Sequence, residues 1–311
     1  MILSVSRRTD IPAFYSEWFM NRIKEGYVMV RNPMSYHAIS KVNIRPDVVD
    51  CIVFWTKNPA PIISYLPELD AQYKYYFQYI INAYGAEIEP NLPTLNERID
   101  NFIALSKKLG KDRVIWRYDP IIITEKYNLD WHKKAFKYIA YKLSGFTDSC
   151  VFSYLDMYDK IVGNMRTVNA LPLPAEVMKT IAISLNKIAA TQNIKLKTCS
   201  EDIDLGALGI ERSCCIDPRL IASILGCNLH AKKDPNQRAS CGCVESIDIG
   251  QYNTCRHGCK YCYANYSTQS VNANASKHNP LSPMLLGNVE DGDKVTERKV
   301  KSLIDDQISF F

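Results

Sequence analysis

The sequence predicts an α/β protein in which a parallel sheet is covered by helices and closes as a (β/α) TIM-like full or partial barrel. Three observations predict it. Short apolar runs rich in β-branched and aromatic residues recur at 2–6 (ILSVS), 51–55 (CIVFW), 75–81 (YYFQYII), 113–118 (RVIWRY), 150–154 (CVFSY), 194–198 (IKLKT) and 245–250 (ESIDIG). Helical patterns separate several of them. No glycine-rich phosphate loop follows any strand, which argues against a doubly wound open sheet.

Each element has a local reason. TLNERIDNFIALSKKLG opens on a Thr94/Glu97 capping box, repeats apolar residues at Ile99, Phe102, Ile103 and Leu109, and stops at Gly110. WHKKAFKYIAYKL places Trp131, Ala135, Tyr138 and Ile139 on one helical face, and AEVMKTIAISLNKIAA does so with Val177, Ile181, Leu185 and Ile188. One domain is expected over 1–266, with a cysteine-rich region at 199–266. A polar, Asn-rich tail at 267–311 follows, with a surface helix from about 293 to 308.

Hydrophobic residues at 47% and charged residues at 23% describe an ordinary globular chain, and a net charge of +5 does not by itself indicate a nucleic-acid partner. The beginning MILSVSRRTDIP has no signal-peptide core, and no 18-residue apolar run occurs, so a cytoplasmic protein without a membrane partner is expected. Eleven cysteines in a reducing compartment point to metal rather than disulfides, and eight of them lie between Cys214 and Cys262. Cys51 and Cys150 each open an apolar run and read as small buried hydrophobes.

In a barrel the chemistry sits where strands end. Those ends carry Arg7, Arg8, Thr9 and Asp10 after the first strand, then Thr56, Lys57 and Asn58, then Asn82. Arg117 and Asp119 follow, then Ser153 and Asp156, then Ser200, Glu201 and Asp202. The last strand runs into YNTCRHGCKYCYAN, whose Cys255, Cys259 and Cys262 stand at spacing C-x3-C-x2-C, with His257 inside the loop reading as a solvated residue. Structural zinc takes four ligands, so this triplet is one short. A 4Fe-4S cube held by three thiolates keeps one iron open to a small molecule. Cys199, Cys215, Cys241 and Cys243 would complete a second, closed site for 4Fe-4S or zinc, with Gly242 allowing the C-x-C to bend and Cys214 interchangeable with Cys215.

The C-x3-C-x-aromatic-C stretch resembles the signature of the radical S-adenosylmethionine (SAM) superfamily. The whole chain also resembles a bacterial family catalogued as a domain of unknown function, through SVSRRTDIPAFY, WTKNP, RYDP and CGCVESIDIGQYNTCRHGCKYCYAN. The first resemblance implies that Cys255, Cys259 and Cys262 hold a 4Fe-4S cluster and that SAM chelates its open iron. Electron transfer from the cluster then yields a 5′-deoxyadenosyl radical that abstracts hydrogen from a small-molecule or other substrate. It implies an electron donor such as flavodoxin or ferredoxin, and it places Tyr261 near the adenine. In most such proteins the cluster loop follows the first strand; here it follows the last. The barrel is then expected to be circularly permuted, with ESIDIG beside ILSVS. The usual Gly-Gly-Glu is missing, so Asp10 or Thr9 would receive the SAM ammonium and Arg7 or Arg8 its carboxylate. Lys57, Asn58, Arg117 and Asp119 are further candidates for binding cofactor or substrate.

Two other readings belong to different classes. One is a non-catalytic iron–sulfur or zinc-binding protein. The other is a radical-based nucleic-acid repair lyase, against which stands the lack of a basic stripe interleaved with aromatics.

Overall fold

The computed structural model describes residues 1–305. Among them, strands form at β1 (Ile2–Val5), β2 (Tyr27–Arg31), β3 (Ala38–Asn43), β4 (Cys51–Thr56), β5 (Tyr75–Ile80), β6 (Val114–Ile121), β7 (Ser149–Tyr154), β8 (Lys195–Cys199), β9 (Glu211–Ser213), β10 (Ile247–Asp248) and β11 (Lys294–Arg298). Eight make one sheet in the order β10-β1-β4-β5-β6-β7-β8-β9, with every neighbouring pair parallel. All seven expected strands are present. The closed barrel is not: β9 and β10 are the two edges of an open sheet.

β10 lies against β1, pairing Leu3 with Ile247 and Ser4 with Asp248. The juxtaposition expected of ESIDIG and ILSVS is therefore observed. It brings the end of the chain's last large-sheet strand beside the end of its first.

The sheet is buried on both faces, as parallel sheets are. One face stacks Phe54 on Phe77 at 4.7 Å and Trp116 on Phe136 at 4.8 Å. Helices cover it through Trp18 and Phe19, Phe102 and Leu105, Ile139 and Leu143, and Ile181 and Leu185. The other face presents Ile2, Val53, Trp55 and Tyr76 to Ile216, Ile221, Cys241, Cys243 and Val244. The cysteine-rich segment thus packs on the sheet face that the long helices leave bare.

Helix Leu95–Leu109 carries the expected capping box: Thr94 Oγ1 accepts from Glu97 N, and Glu97 Oε2 from Thr94 N at 2.8 Å. Two helical faces are rotated from expectation. In Leu129–Leu143 the buried residues are His132, Phe136, Ile139, Ala140 and Leu143, while Tyr138 is exposed. In Ala175–Ala190, Ala182 and Ala189 are buried and Val177 is exposed. Small residues let these helices approach the sheet closely, an option that counting large apolar side chains overlooks.

The surface helix expected near 293–308 is not formed among the described residues. Residues 294–298 are β11, which runs parallel to β3 in a three-stranded sheet with β2, and 306–308 lie outside the described residues. The polar stretch after 267 packs firmly. Trp18 Nε1 donates to Ser282 O at 2.9 Å, Arg22 Nη2 to Leu281 O at 3.1 Å, and Met284 and Leu285 are buried.

His132 is fully buried, its Nδ1 on the Tyr118 hydroxyl at 2.8 Å and its Nε2 on Ile122 O at 3.0 Å. Burial holds its imidazole down to about 4, so the native ring is neutral where an unfolded one would take a proton. The stability tied to it is complete above the ordinary histidine range and is lost as pH falls from about 6.5 toward 4. Urea unfolding at pH 7 and 4.5 should show a loss of about 2–3 kcal/mol that His132→Gln does not share. Equal losses in the two proteins would assign the acid sensitivity elsewhere.

Candidate functional site

β10 feeds directly into the three-cysteine loop, and Asp248 at its end is the first anchor. Asp248 accepts from Ser4 Oγ and Ser6 Oγ, both at 2.6 Å, from Arg7 N at 2.8 Å and from Gly250 N at 3.0 Å. Its carboxylate thus ties β10 to the turn after β1. Gly250 permits this contact, because a Cβ there would lie 2.0 Å from Ser6 Oγ. Within the loop Gly258 has φ +70°, a left-handed turn between Cys255 and Cys259.

Asn265 fastens the loop to itself. Its Oδ1 accepts from Thr254 N at 2.7 Å and Cys255 N at 2.8 Å, while Nδ2 donates to Arg8 O at 2.8 Å and approaches Cys262 Sγ at 3.5 Å. Tyr15 OH donates to Thr254 O at 2.6 Å, Lys260 N to Ile88 O at 2.9 Å and Asn91 N to His257 O at 3.2 Å. These bonds fix where the three thiols point.

Cys255, Cys259 and Cys262 line one cavity of about 270 Å³ together with Arg7, Arg8, Thr9, Asp10, Trp55, Lys57, Arg117, Asp119, Cys215, His257 and Tyr263. Burial pushes the Cys255 thiol well up and that of Cys259 up to about 12. Among the described residues, three buried groups here lack a hydrogen-bond partner: Arg7 Nε, Thr9 Oγ1 and His257 Nδ1. Arg7 otherwise has a 3.3 Å contact from Nη2 to Ser246 Oγ and the Trp55 ring 5.6 Å away. Arg8 reaches Gly250 O at 3.4 Å and lies 5.2 Å over Tyr252.

Several candidates have structural partners already. Asp10 caps the short helix Ile11–Phe14 through Ala13 N, and its Oδ2 accepts from Lys57 N at 2.7 Å and pairs with His257 Nε2 at 2.8 Å. His257 is buried, which corrects the expectation of a solvated loop residue. Lys57 Nζ is engaged with Glu89 at 2.8 Å. Asn58 accepts from Ala60 N at 3.2 Å and lies outside the cavity wall. Tyr261 is turned toward the same buried carboxylate, donating to Glu89 at 2.5 Å, with Lys57 Nζ 5.4 Å from its ring. In its place Tyr263 lines the cavity.

Glu89 is the center the sequence left unmarked. Its side chain has no exposed surface, and it also meets Arg98 Nη1 at 3.5 Å and Asn82 Nδ2 at 3.3 Å. Burial alone would raise its pKa, but Lys57 and Arg98 outweigh that and hold it below the usual range.

On the other side of the mouth, Arg117 donates from Nε and Nη2 to Asp119 Oδ2 at 3.0 and 2.7 Å, and from Nη1 to Cys215 Sγ at 3.2 Å. Asp119 also accepts from Ser153, and Asn82 bonds its backbone on both sides. Burial disfavors the Asp119 charge, yet Arg117 keeps its pKa low. Asp156 pairs with Arg238 at 2.7 Å, Glu201 accepts from Tyr154 N at 2.8 Å, and Asp202 is exposed.

Cys199, Cys215, Cys241 and Cys243 line a second cavity of about 460 Å³, whose wall also includes Cys262, Arg7, Arg117 and Tyr263. Cys199 Sγ and Cys215 Sγ are 3.4 Å apart. Cys243 Sγ accepts from Ile216 N at 3.4 Å. Among the described residues no group of three or more His, Cys, Asp or Glu side chains meets at one ion-sized point.

The sheet and its rim thus define an α/β protein whose mouth gathers two sets of cysteines around a pair of arginines. The chain belongs to the family described as a domain of unknown function (DUF1848), whose model matches residues 2–264. No curated protein and no solved structure matches it. No helix of the described residues is long and apolar enough to cross a membrane.

Proposed function

We propose that this protein is a radical SAM enzyme acting on a substrate admitted at the rim of the parallel sheet. One observation carries the reading: the three thiols of Cys255, Cys259 and Cys262 face a cavity also walled by the unpartnered buried donors Arg7 Nε and Thr9 Oγ1 and by the free His257 Nδ1. Three thiols with room beside them fit a 4Fe-4S cluster that leaves one iron for a bidentate small molecule. When bound, the cluster and SAM supply one-electron cleavage to a 5′-deoxyadenosyl radical able to abstract hydrogen.

The chain's own residues bind and orient. Arg7 and Arg8 offer cations for a carboxylate, since among the described residues neither guanidinium is held in an ion pair. Thr9 Oγ1 offers a short-range polar contact for an ammonium. Asp10, already bonded to Ala13, Lys57 and His257, positions the loop. Trp55 and Tyr263 give the cavity aromatic walls. The placement of β10 beside β1 supports a permuted strand order, in which the last strand of the large sheet carries the loop that the first usually bears.

The test uses protein purified and reconstituted without oxygen. Dithionite-reduced protein should give a 4Fe-4S electron paramagnetic resonance signal that shifts when SAM is added and vanishes in Cys259→Ala. A signal indifferent to SAM, or zinc in place of iron, would leave a metal-binding protein without radical chemistry.

A further inference from the structure

The sheet is open, with β9 and β10 as its two edges, and four of the thiols outside the triplet, those of Cys199, Cys215, Cys241 and Cys243, are distributed between those edges. Cys199 ends β8 and Cys215 stands two residues beyond β9, at one edge. Cys241 and Cys243 precede β10, the other edge. The segment joining them crosses the sheet's second face, where Tyr76 OH at 2.6 Å and Gln78 Nε2 at 2.9 Å donate to Cys215 O. We propose that Cys199, Cys215, Cys241 and Cys243 bind a thiophilic metal center that clasps the two edges of the open sheet.

The geometry supports a thiolate center. Cys199 Sγ and Cys215 Sγ are already in contact, and Cys241 and Cys243 line the same cavity. Four sulfurs about 2.3 Å from one tetrahedral ion stand about 3.8 Å apart, close to the 3.4 Å between Cys199 and Cys215. Coordination would draw the Cys241 and Cys243 sulfurs toward this pair. Donors for ligated sulfur are in place: Ile216 N points at Cys243 Sγ at 3.4 Å and Arg117 Nη1 at Cys215 Sγ at 3.2 Å. The geometry also chooses between adjacent cysteines. Cys214 packs beside Gly242 but lines a different cavity, whereas Cys215 lines the shared one and meets Cys199 Sγ at 3.4 Å, which favors Cys215 as the ligand. The clasp is independent of the radical reading, although Cys215 and Cys262 share the walls of both cavities.

The experiment is run on the full chain carrying Cys259→Ala, which removes the triplet, so its result does not depend on SAM binding. Metal and acid-labile sulfide are measured per chain after anaerobic purification, with hydrogen exchange followed in β8, β9 and β10. Retained zinc without sulfide, or retained iron with sulfide, supports the proposal and identifies the center. Adding Cys215→Ala should abolish that metal and speed exchange at both edges by tenfold or more, whereas Cys214→Ala should change neither. Chelation of the Cys259→Ala protein should reproduce the exchange effect without altering a ligand. Folded Cys259→Ala protein free of metal would overturn the proposal. So would equal effects of Cys214→Ala and Cys215→Ala.

Discussion

Glu89→Gln will destabilise the protein by about 3–5 kcal/mol, because it strips a buried anion from two largely buried cations. Lys57 Nζ lies 2.8 Å from one carboxylate oxygen and Arg98 Nη1 3.5 Å from the other, and all three side chains are largely or wholly buried. The pair need not be worth that much in itself, since forming it required desolvating both ions. The loss arises because Lys57 and Arg98 keep their charges and lose their partner. Lys57→Met combined with Glu89→Gln should therefore cost less than the sum of the two single changes, a coupling that denaturant unfolding measures directly. A Glu89→Gln protein within about 1 kcal/mol of the parent would mean that water reaches this network.

Asn265→Ala will release the cysteine loop. Thr254 N and Cys255 N have the Asn265 carbonyl oxygen as their acceptor, at 2.7 and 2.8 Å, and Thr254 is fully buried. An unsatisfied buried amide costs about 1–3 kcal/mol, so two make local opening easier by on the order of 10²-fold. Hydrogen exchange at residues 254 and 255 should accelerate accordingly, and iron content after anaerobic reconstitution should fall in parallel. Asn265→Asp, which keeps the acceptor and loses the donation to Arg8 O, should show a smaller change. Undiminished protection of both amides in Asn265→Ala would sink this account of the loop.

Much of the architecture was legible because the information was local. A buried parallel strand must be a continuous apolar run, and CIVFWT in β4 is buried at every position. The capping box at Thr94 was legible for the same reason: it is a short-range pattern with one physical purpose. The hairpin of β2 and β3, and β11 beside it, lacked such a mark. β11 is exposed at all five residues and is held by backbone pairing to β3 rather than by burial. Glu89 sits in a short loop among proline and asparagine, and only the meeting of Lys57, Arg98 and Tyr261 gives it a role. His257 looked solvated for a like reason, since Asp10 lies 247 residues away in the chain.

The pairing of β1 with β10 has a consequence for biosynthesis. Ser4 and Asp248 are 244 residues apart, so the edge of β1 that will carry the cysteine loop waits through most of translation for its partner. A ribosome-bound chain shorter than that holds the arginine turn and most of the central sheet, but no triplet. Contacts this distant in sequence make for slow final assembly. The three-cysteine loop therefore takes its place beside β1 only after the rest of the sheet has been synthesised, at the last stage of its folding.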